Sequence, residues 1–280
     1  MKLVEKSNYS SLLPFLAEVD INHYFAKSVL TQRAKGTVYF DDEITPSSFY
    51  ITSGYGMSLL FGKTNNLEFN LELRDYLLNS NKHRADDEWL QVYPQQWNKV
   101  LAQLCGDKLI SNTEIGSAEK LSCIVQNTRV NFEFDEDKFK QAVAAQKSHL
   151  SEQTIRVINK DIYQQLNGVV VPKHFWQSAD SFIKYGKGFA LMVGDTIAST
   201  AYSATIDEKI LEIGIETNPV FRGNGYAFTI CSKIIEYCLV NKLMPVWACK
   251  LENTASYLLA QKLGFTVSKE LPYYRLCRSS

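Results

Sequence analysis

Two hydrophobic rhythms run along the chain, and they are cleanest in its second half. Residues 189–193 form a short apolar run, Gly194-Asp195 supplies a tight hairpin turn, and 197–205 answers as the partner strand. A third strand is predicted over 210–215, with the chain interrupted at Asn218-Pro219. Beyond a short loop, Ala227, Ile230, Cys231, Ile234, Ile235, Cys238 and Leu239 recur at helical spacing, which predicts an amphipathic helix of about four turns. Asn241 and Pro245 end it, and 246–249 reads as a further strand. The order β-β-β-loop-α-β implies a mixed, mostly antiparallel sheet with a parallel crossover at its end.

The first half mixes the same two rhythms. Strands are predicted at 36–40, 48–51 and 56–61, and helices at 67–78 and 95–104. Phe132-Glu133-Phe134 reads as a strand end. Asp135, Glu136 and Asp137 then cap a helix carrying Phe139, Val143 and Gln146. A fresh unit follows, with a strand at 154–158 and a short helix at 161–166. No Gly/Ser linker or low-complexity tract divides the chain, so the expected boundary is a close-packed one within 136–152. It gives an α+β domain over 1–145 and a second domain over 146–280. Residues 89–93, followed by Leu101-Ala102-Gln103-Leu104-Cys105-Gly106, echo 247–249 followed by Leu259-Ala260-Gln261-Lys262-Leu263-Gly264. The first half is therefore either a degenerate copy of the second or an unrelated α+β domain.

Composition narrows the function classes. With 280 residues, 45% hydrophobic and 21% charged, the chain has material for one or two real cores. Lys+Arg and Asp+Glu stand at 30 each, so no basic field is present to hold nucleic acid or an anionic membrane. Residues 1–140 hold 15 basic and 19 acidic side chains and the remainder 15 and 11, which points any anionic ligand to the second half. No apolar run approaches a membrane span, and the opening Met-Lys-Leu-Val-Glu-Lys lacks a signal-peptide pattern. Cys105, Cys123, Cys231, Cys238, Cys249 and Cys277 show no pairing rhythm, which predicts reduced, buried thiols and a cytoplasmic protein. His23, His83, His149 and His174 have no ligand spacing, so no metal is expected.

Between the third strand and the long helix stands Arg222-Gly223-Asn224-Gly225-Tyr226-Ala227. Such a loop presents successive N–H groups at a helix N-terminus, where the dipole also favours negative charge. Gly223 and Gly225 admit backbone conformations and close approaches that a Cβ would block. The loop lacks both the third glycine of the dinucleotide fingerprint and the Gly-Lys-Ser/Thr of a Walker loop. Taken with Asn253, Ser256, Leu259 and Ala260, and with Lys262-Leu263-Gly264-Phe265, it resembles the acyl-CoA pyrophosphate loop and following signature of the GNAT superfamily of N-acetyltransferases. The likeness covers roughly 154–276 and is greatest to a branch with a Trp-x-Cys strand, here Trp247 and Cys249.

The resemblance implies a fold in which acetyl-CoA, as co-substrate, lies in a cleft between two splayed parallel strands. Ile215, Glu216 and Thr217 would pair with the pantetheine arm, Arg222 to Ala227 would hold the pyrophosphate, and Asn253 would steady the pantetheine or serve only as a helix cap. The acceptor would be the amine of a small molecule or a protein, with oligomeric state left open. Transfer to an amine needs a base, a polarised carbonyl and a proton for the thiolate. Glu212 and Glu216 share one face of the third strand and are candidate bases, Glu216 being nearer the expected splay. The tyrosine that supplies the proton in much of the superfamily is replaced, by count from Gly264, with Ala260, which leaves Tyr257 or no side chain at all. A non-catalytic acyl-CoA sensor and a tandem aminoacyl transferase are the competing readings.

Overall fold

Antiparallel meanders followed by a helical crossover to a parallel strand recur twice along the chain. The computed structural model describes residues 1–82, 84–112, 124–146 and 153–278. They fold as two compact units, Met1–Arg129 with Glu270–Ser280, and Val130–Lys269. Cys123, His83 and His149 lie outside the described residues. Among those residues no helix is long and apolar enough to cross a membrane.

The chain runs β1 (Lys2–Leu3), α1 (Leu13–Leu16), α2 (Tyr24–Leu30), β2 (Gly36–Phe40), β3 (Ser48–Ser53), β4 (Met57–Gly62), α3 (Leu67–Leu77), β5 (Glu88–Tyr93), α4 (Trp97–Cys105), β6 (Leu109–Ser111) and β7 (Ile124–Phe134). In the first unit the strand order is β1-β2-β3-β4-β5-β14-β7, with β6 beside β7 and β14 returning from the end of the chain. The β4–β5 ladder is parallel and unbroken from Met57↔Trp89 to Phe61↔Tyr93. Asn66 caps α3 with its side chain, which accepts the Phe69 N–H at 3.1 Å. A buried polar cluster ties this unit's sheet to the α3–β5 connection. The Glu88 carboxylate accepts hydrogen bonds from the Tyr50 and Tyr76 hydroxyls and lies 3.6 Å from Arg84, which also donates to the Tyr76, Leu77 and Cys277 carbonyls. Burial, then the neighbouring carboxylate, push both phenols well above the usual tyrosine range.

The second unit continues through α5 (Glu136–Ala145), β8 (Gln153–Val157), α6 (Lys160–Gln165), α7 (Pro172–Phe175), α8 (Ala179–Tyr185), β9 (Gly188–Val193), β10 (Thr196–Ile206), β11 (Ile210–Thr217), α9 (Tyr226–Val240), β12 (Met244–Val246), β13 (Ala248–Lys250), α10 (Thr254–Lys262) and β14 (Phe265–Leu276). One sheet runs β12-β11-β10-β9-β8. In it only β11–β12 is parallel. Residues 130–134 of β7 and the start of β14 join β13 in a second set of strands. The α+β, mostly antiparallel architecture expected from the sequence is the one adopted. The order β2-β3-β4-α3-β5-α4 in the first unit repeats as β9-β10-β11-α9-β12/β13-α10 in the second.

Two expectations about local structure change. The strand expected over 246–249 is two strands: β12 ends at Val246, Trp247 turns the chain, and β13 pairs with β7, whose Phe132 N–H donates to the Trp247 carbonyl at 3.2 Å. The helices α1, α2, α7 and α8 went unforeseen. Each is seven residues or shorter, too brief for a helical period to declare itself.

The stripe predicted on α9 is its buried face. Ile230, Cys231, Ile234, Ile235 and Cys238 are fully enclosed against Leu211, Trp247, Leu263 and Phe265, while Ala227 and Leu239 stay partly exposed. Cys105, Cys231, Cys238, Cys249 and Cys277 are free and buried. Burial pushes the Cys238 thiol up to about 12 and that of Cys231 further. These five thiols are therefore expected to react with a disulfide reagent only on unfolding, and fast modification of the native protein at any of them by peptide mass mapping would contradict the burial.

Gly264 joins α10 to β14 at φ +86. Its N–H bonds the Gln261 carbonyl and its carbonyl accepts the Asp135 N–H at 2.9 Å. A Cβ there would stand 2.6 Å from the Phe139 nitrogen and 2.7 Å from the Asp135 oxygen. The Leu-Gly-Phe signature is thus a joint: a left-handed helix stop, a close backbone crossing and a core ring, Phe265, set 5.6 Å from Trp247 and 5.1 Å from Phe134. Gly264→Ala should cost about 3 kcal/mol of stability, read as a lower urea midpoint with unchanged slope. A loss below about 1 kcal/mol would mean that the joint relaxes.

Candidate functional site

The site begins where a ladder stops. β11 pairs with β12 at Ile210↔Met244, Leu211↔Pro245 and Glu212↔Val246, and there the parallel ladder ends, because the chain leaves at Trp247 to form β13 with β7. On its other side β11 stays paired with β10 through Glu216 and Thr217. Residues 213–217 therefore carry an edge with no ladder partner among the described residues. Backbone N–H and C=O groups on such an edge need water or a ligand. The splay implied by the resemblance lies in this place, with Ile215, Glu216 and Thr217 along it.

The edge leads into the loop. Asn218 starts a short turn, accepting the Val220 N–H, and its own N–H donates to the Ala198 carbonyl at 3.0 Å. Gly223 and Gly225 take φ +83 and +76, the left-handed region that favours glycine. A Cβ on Gly223 would meet nothing within 4 Å, and one on Gly225 only the Gln146 amide nitrogen at 3.7 Å. The glycines are needed for conformation, and the space above them is open. Gly225 occupies the cap position of α9 without any side-chain cap, and the first main-chain bond of the helix is Thr229 N–H to the Gly225 carbonyl at 3.1 Å. The amides of Ala227 and Phe228 consequently have no acceptor within the helix. Asn224 folds back, its amide donating to the Phe221 carbonyl at 3.0 Å, and Arg222 lies exposed with Nε 3.4 Å from the Thr217 carbonyl. Tyr226 is half-buried, 6.3 Å from Phe221 between ring centroids. Open N–H groups, a helix dipole and one permanent cation together suit a pyrophosphate.

Two faces of β11 serve different purposes. Leu211, Ile213 and Ile215 turn toward α9 and its core. Glu212, Gly214 and Glu216 alternate onto the other face, as period two requires. Here the Tyr202 ring lies over Gly214, so close that a Cβ at 214 would stand 2.6 Å from it. Around Tyr202 gather Tyr163, Phe175, Trp176 and Phe182 from α6, α7 and α8 and the turn between the last two. Glu212 sits at the last paired position and Glu216 four residues beyond, about 13 Å away at strand rise, so one reacting centre cannot use both. The Glu216 carboxylate accepts the Val170 N–H at 3.0 Å and lies against Gly168. The segment 167–171 carried no such signal in the sequence.

Asn253 caps α10, accepting the Ser256 N–H at 3.2 Å, and the Ser256 hydroxyl accepts the Trp247 indole N–H at 3.1 Å. The spacing of Trp247, Asn253 and Ser256 thus fixes the turn that separates β12 from β13. Tyr257 is half-buried, its ring edge-on to Phe132 at 5.6 Å. Ala260 is fully enclosed in the α9 core. A side chain at 260 faces the interior, so the count that placed the superfamily's tyrosine there lands on a packing position. Among the described residues no group of three or more His, Cys, Asp or Glu is placed to hold a metal ion.

The comparisons with known proteins fit this geometry. The uncharacterized N-acetyltransferase YdfB of Bacillus subtilis is 27% identical over 256 residues, 89% of each chain. A GCN5-related N-acetyltransferase-like protein from Streptococcus suis superposes with a TM-score of 0.68 at 19% identity, covering 96% of this chain and 99% of the other. A tandem GNAT protein from the clavulanic acid biosynthesis pathway superposes at 0.60 and 8% identity, over 100% and 98%, and at that identity the likeness is one of fold. The family profile described as GNAT acetyltransferase matches residues 16–274, and the chain therefore belongs to the GNAT acetyltransferase family.

Proposed function

We propose that the second unit transfers an acetyl group from acetyl-CoA directly to a primary amine. The observation that carries the reading is the free edge of β11 running straight into an uncapped, glycine-framed helix N-terminus. Bound there, acetyl-CoA would supply the acetyl group as a thioester. Backbone groups of Ile215, Glu216 and Thr217 would pair with its extended arm, and amides from Gly223 to Ala227, with Arg222 alongside, would hold the pyrophosphate. Asn253 shapes the cleft wall as the cap of α10. Glu212, at the apex of the splay, would take the proton from the acceptor ammonium. The neutral amine nitrogen then attacks the thioester carbonyl, the C–S bond breaks, and the sulfur leaves as thiolate, which takes up the second proton that the nitrogen loses as the amide forms.

The acceptor would be an amine of a small molecule or of a protein side chain, since Glu212 and Glu216 share the face of β11 that lies away from α9. The first unit, with the same order of elements but no cleft of this kind among its described residues, is a degenerate copy acting as partner domain. The branch with the Trp-x-Cys strand is supported by the roles of Trp247, Asn253 and Ser256 described above. The five free, buried thiols accord with a cytoplasmic setting.

Gly225→Glu puts bulk and negative charge where phosphates would sit, while its Cβ meets little. CoA affinity by calorimetry should fall at least about tenfold, the value of one lost charge-assisted hydrogen bond, with the fold retained by circular dichroism. Unchanged affinity in the folded variant would remove the site. Turnover is to be measured with acetyl-CoA and three probe amines, 2-phenylethylamine, spermidine and a lysine peptide; tight CoA binding without turnover of any would favour the sensor.

Tyr257→Phe removes only a hydroxyl and keeps the ring on Phe132. A thiol with pKa of about 8.5 leaves readily as thiolate, so kcat should change by no more than about threefold. General acids contribute about 10²–10⁴-fold, and a fall of that size would make Tyr257 the proton donor.

A further inference from the structure

We infer that Glu216 is a positioning residue, whose carboxylate pins the segment 167–171 as a wall of the acceptor site, and that it does not carry the transferred proton. The inference rests on the acetyl-transfer reading above for the meaning of "acceptor site", and on separate geometry for the pin. Glu216 projects onto the face of β11 shared with Glu212 and Gly214, at the stretch of strand that has lost its ladder partner. One of its oxygens, Oε2, accepts the Val170 N–H at 3.0 Å. Its Cγ and Cδ fill the space beside Gly168, where a Cβ would stand 3.3 and 3.4 Å from them. Gly168 is fixed from the far side too, its carbonyl lying 3.3 Å from the His174 ring nitrogen.

The segment needs such a pin. It links α6 to α7 and forms no ladder of its own, Val169 is 85% exposed, and only Val171 is enclosed in the aromatic cluster. Its inner end is therefore anchored by packing and its middle by one charge-assisted bond from β11, which is stronger than a neutral one. Oε2 is committed to that amide, and the carbons behind it are packed beside Gly168, so the side chain is held on the segment as an anchor. Glu212, about 13 Å away, is left to the chemistry.

Glutamine separates the two roles, because its amide oxygen still accepts the Val170 N–H but cannot take a proton at neutral pH. Glu216→Gln should keep Val170 amide exchange, measured by NMR, within about threefold of the parent. The pH profile of kcat with the fastest of the three probe amines should keep the parent's shape. Glu216→Ala should speed Val170 exchange at least about tenfold and raise the KM for that amine by a similar factor, neither of which Glu216→Gln should do. A kcat fall of about a hundredfold in Glu216→Gln would make Glu216 the base and overturn the inference, as would unchanged Val170 exchange in Glu216→Ala. If no probe amine turns over while CoA binds, the acetyl-transfer reading fails, and the pin is still decided by Val170 exchange in the two variants.

Discussion

The second unit depends on the obligation of backbone amides and carbonyls to find partners. β11 meets that obligation on one side along its whole length and on the other for three residues only, after which its neighbour departs at Trp247. Everything assigned to function follows from that departure. The bared edge gives an extended ligand a place to add as a strand, and the turn at its end delivers the chain into α9, where the Ala227 and Phe228 amides have no acceptor within the helix. The departure is itself held by named bonds, from the Trp247 indole to Ser256 and from Phe132 to the Trp247 carbonyl.

The first unit is the natural control. It has the same order of elements, yet β4 and β5 remain paired over five positions, from Met57↔Trp89 to Phe61↔Tyr93. Its crossover helix α3 begins with Asn66, whose side chain takes up the Phe69 amide. Both openings of the second unit, the strand edge and the helix terminus, are closed here by ordinary structure. A ladder that runs on and a polar cap in place of a glycine are the two local differences between the units at these positions.

How legible this was depends on range. The meander 188–217, the α9 stripe and the glycine loop are local patterns, and each appears close to where it was read. The parting of β12 from β13 is not local, since it depends on β7, more than a hundred residues away, offering a better partner to Ala248–Lys250. The same holds for Glu216: its even spacing with Glu212 placed it on the correct face, but the amide it accepts belongs to a segment with no motif. Ala260 shows the opposite limit. Counting along a signature gives a position and not a direction, and here the direction is inward.

The open helix terminus also explains why α9 is the most heavily buried helix of its unit. Leaving the cap position to a glycine forgoes a side-chain cap worth about 1 kcal/mol, and the neighbouring loop adds two residues in left-handed backbone. Three fully enclosed isoleucines on α9, Ile230, Ile234 and Ile235, at roughly 1.5–3 kcal/mol each, outweigh that several times over. The imbalance runs along the helix axis. The apolar face holds from Ile230 onward, and the first turn, Tyr226 to Thr229, is only partly buried. Stability is thus concentrated away from the end where the Ala227 and Phe228 amides find no acceptor within the helix, so that end can stay available without loosening the sheet that carries it.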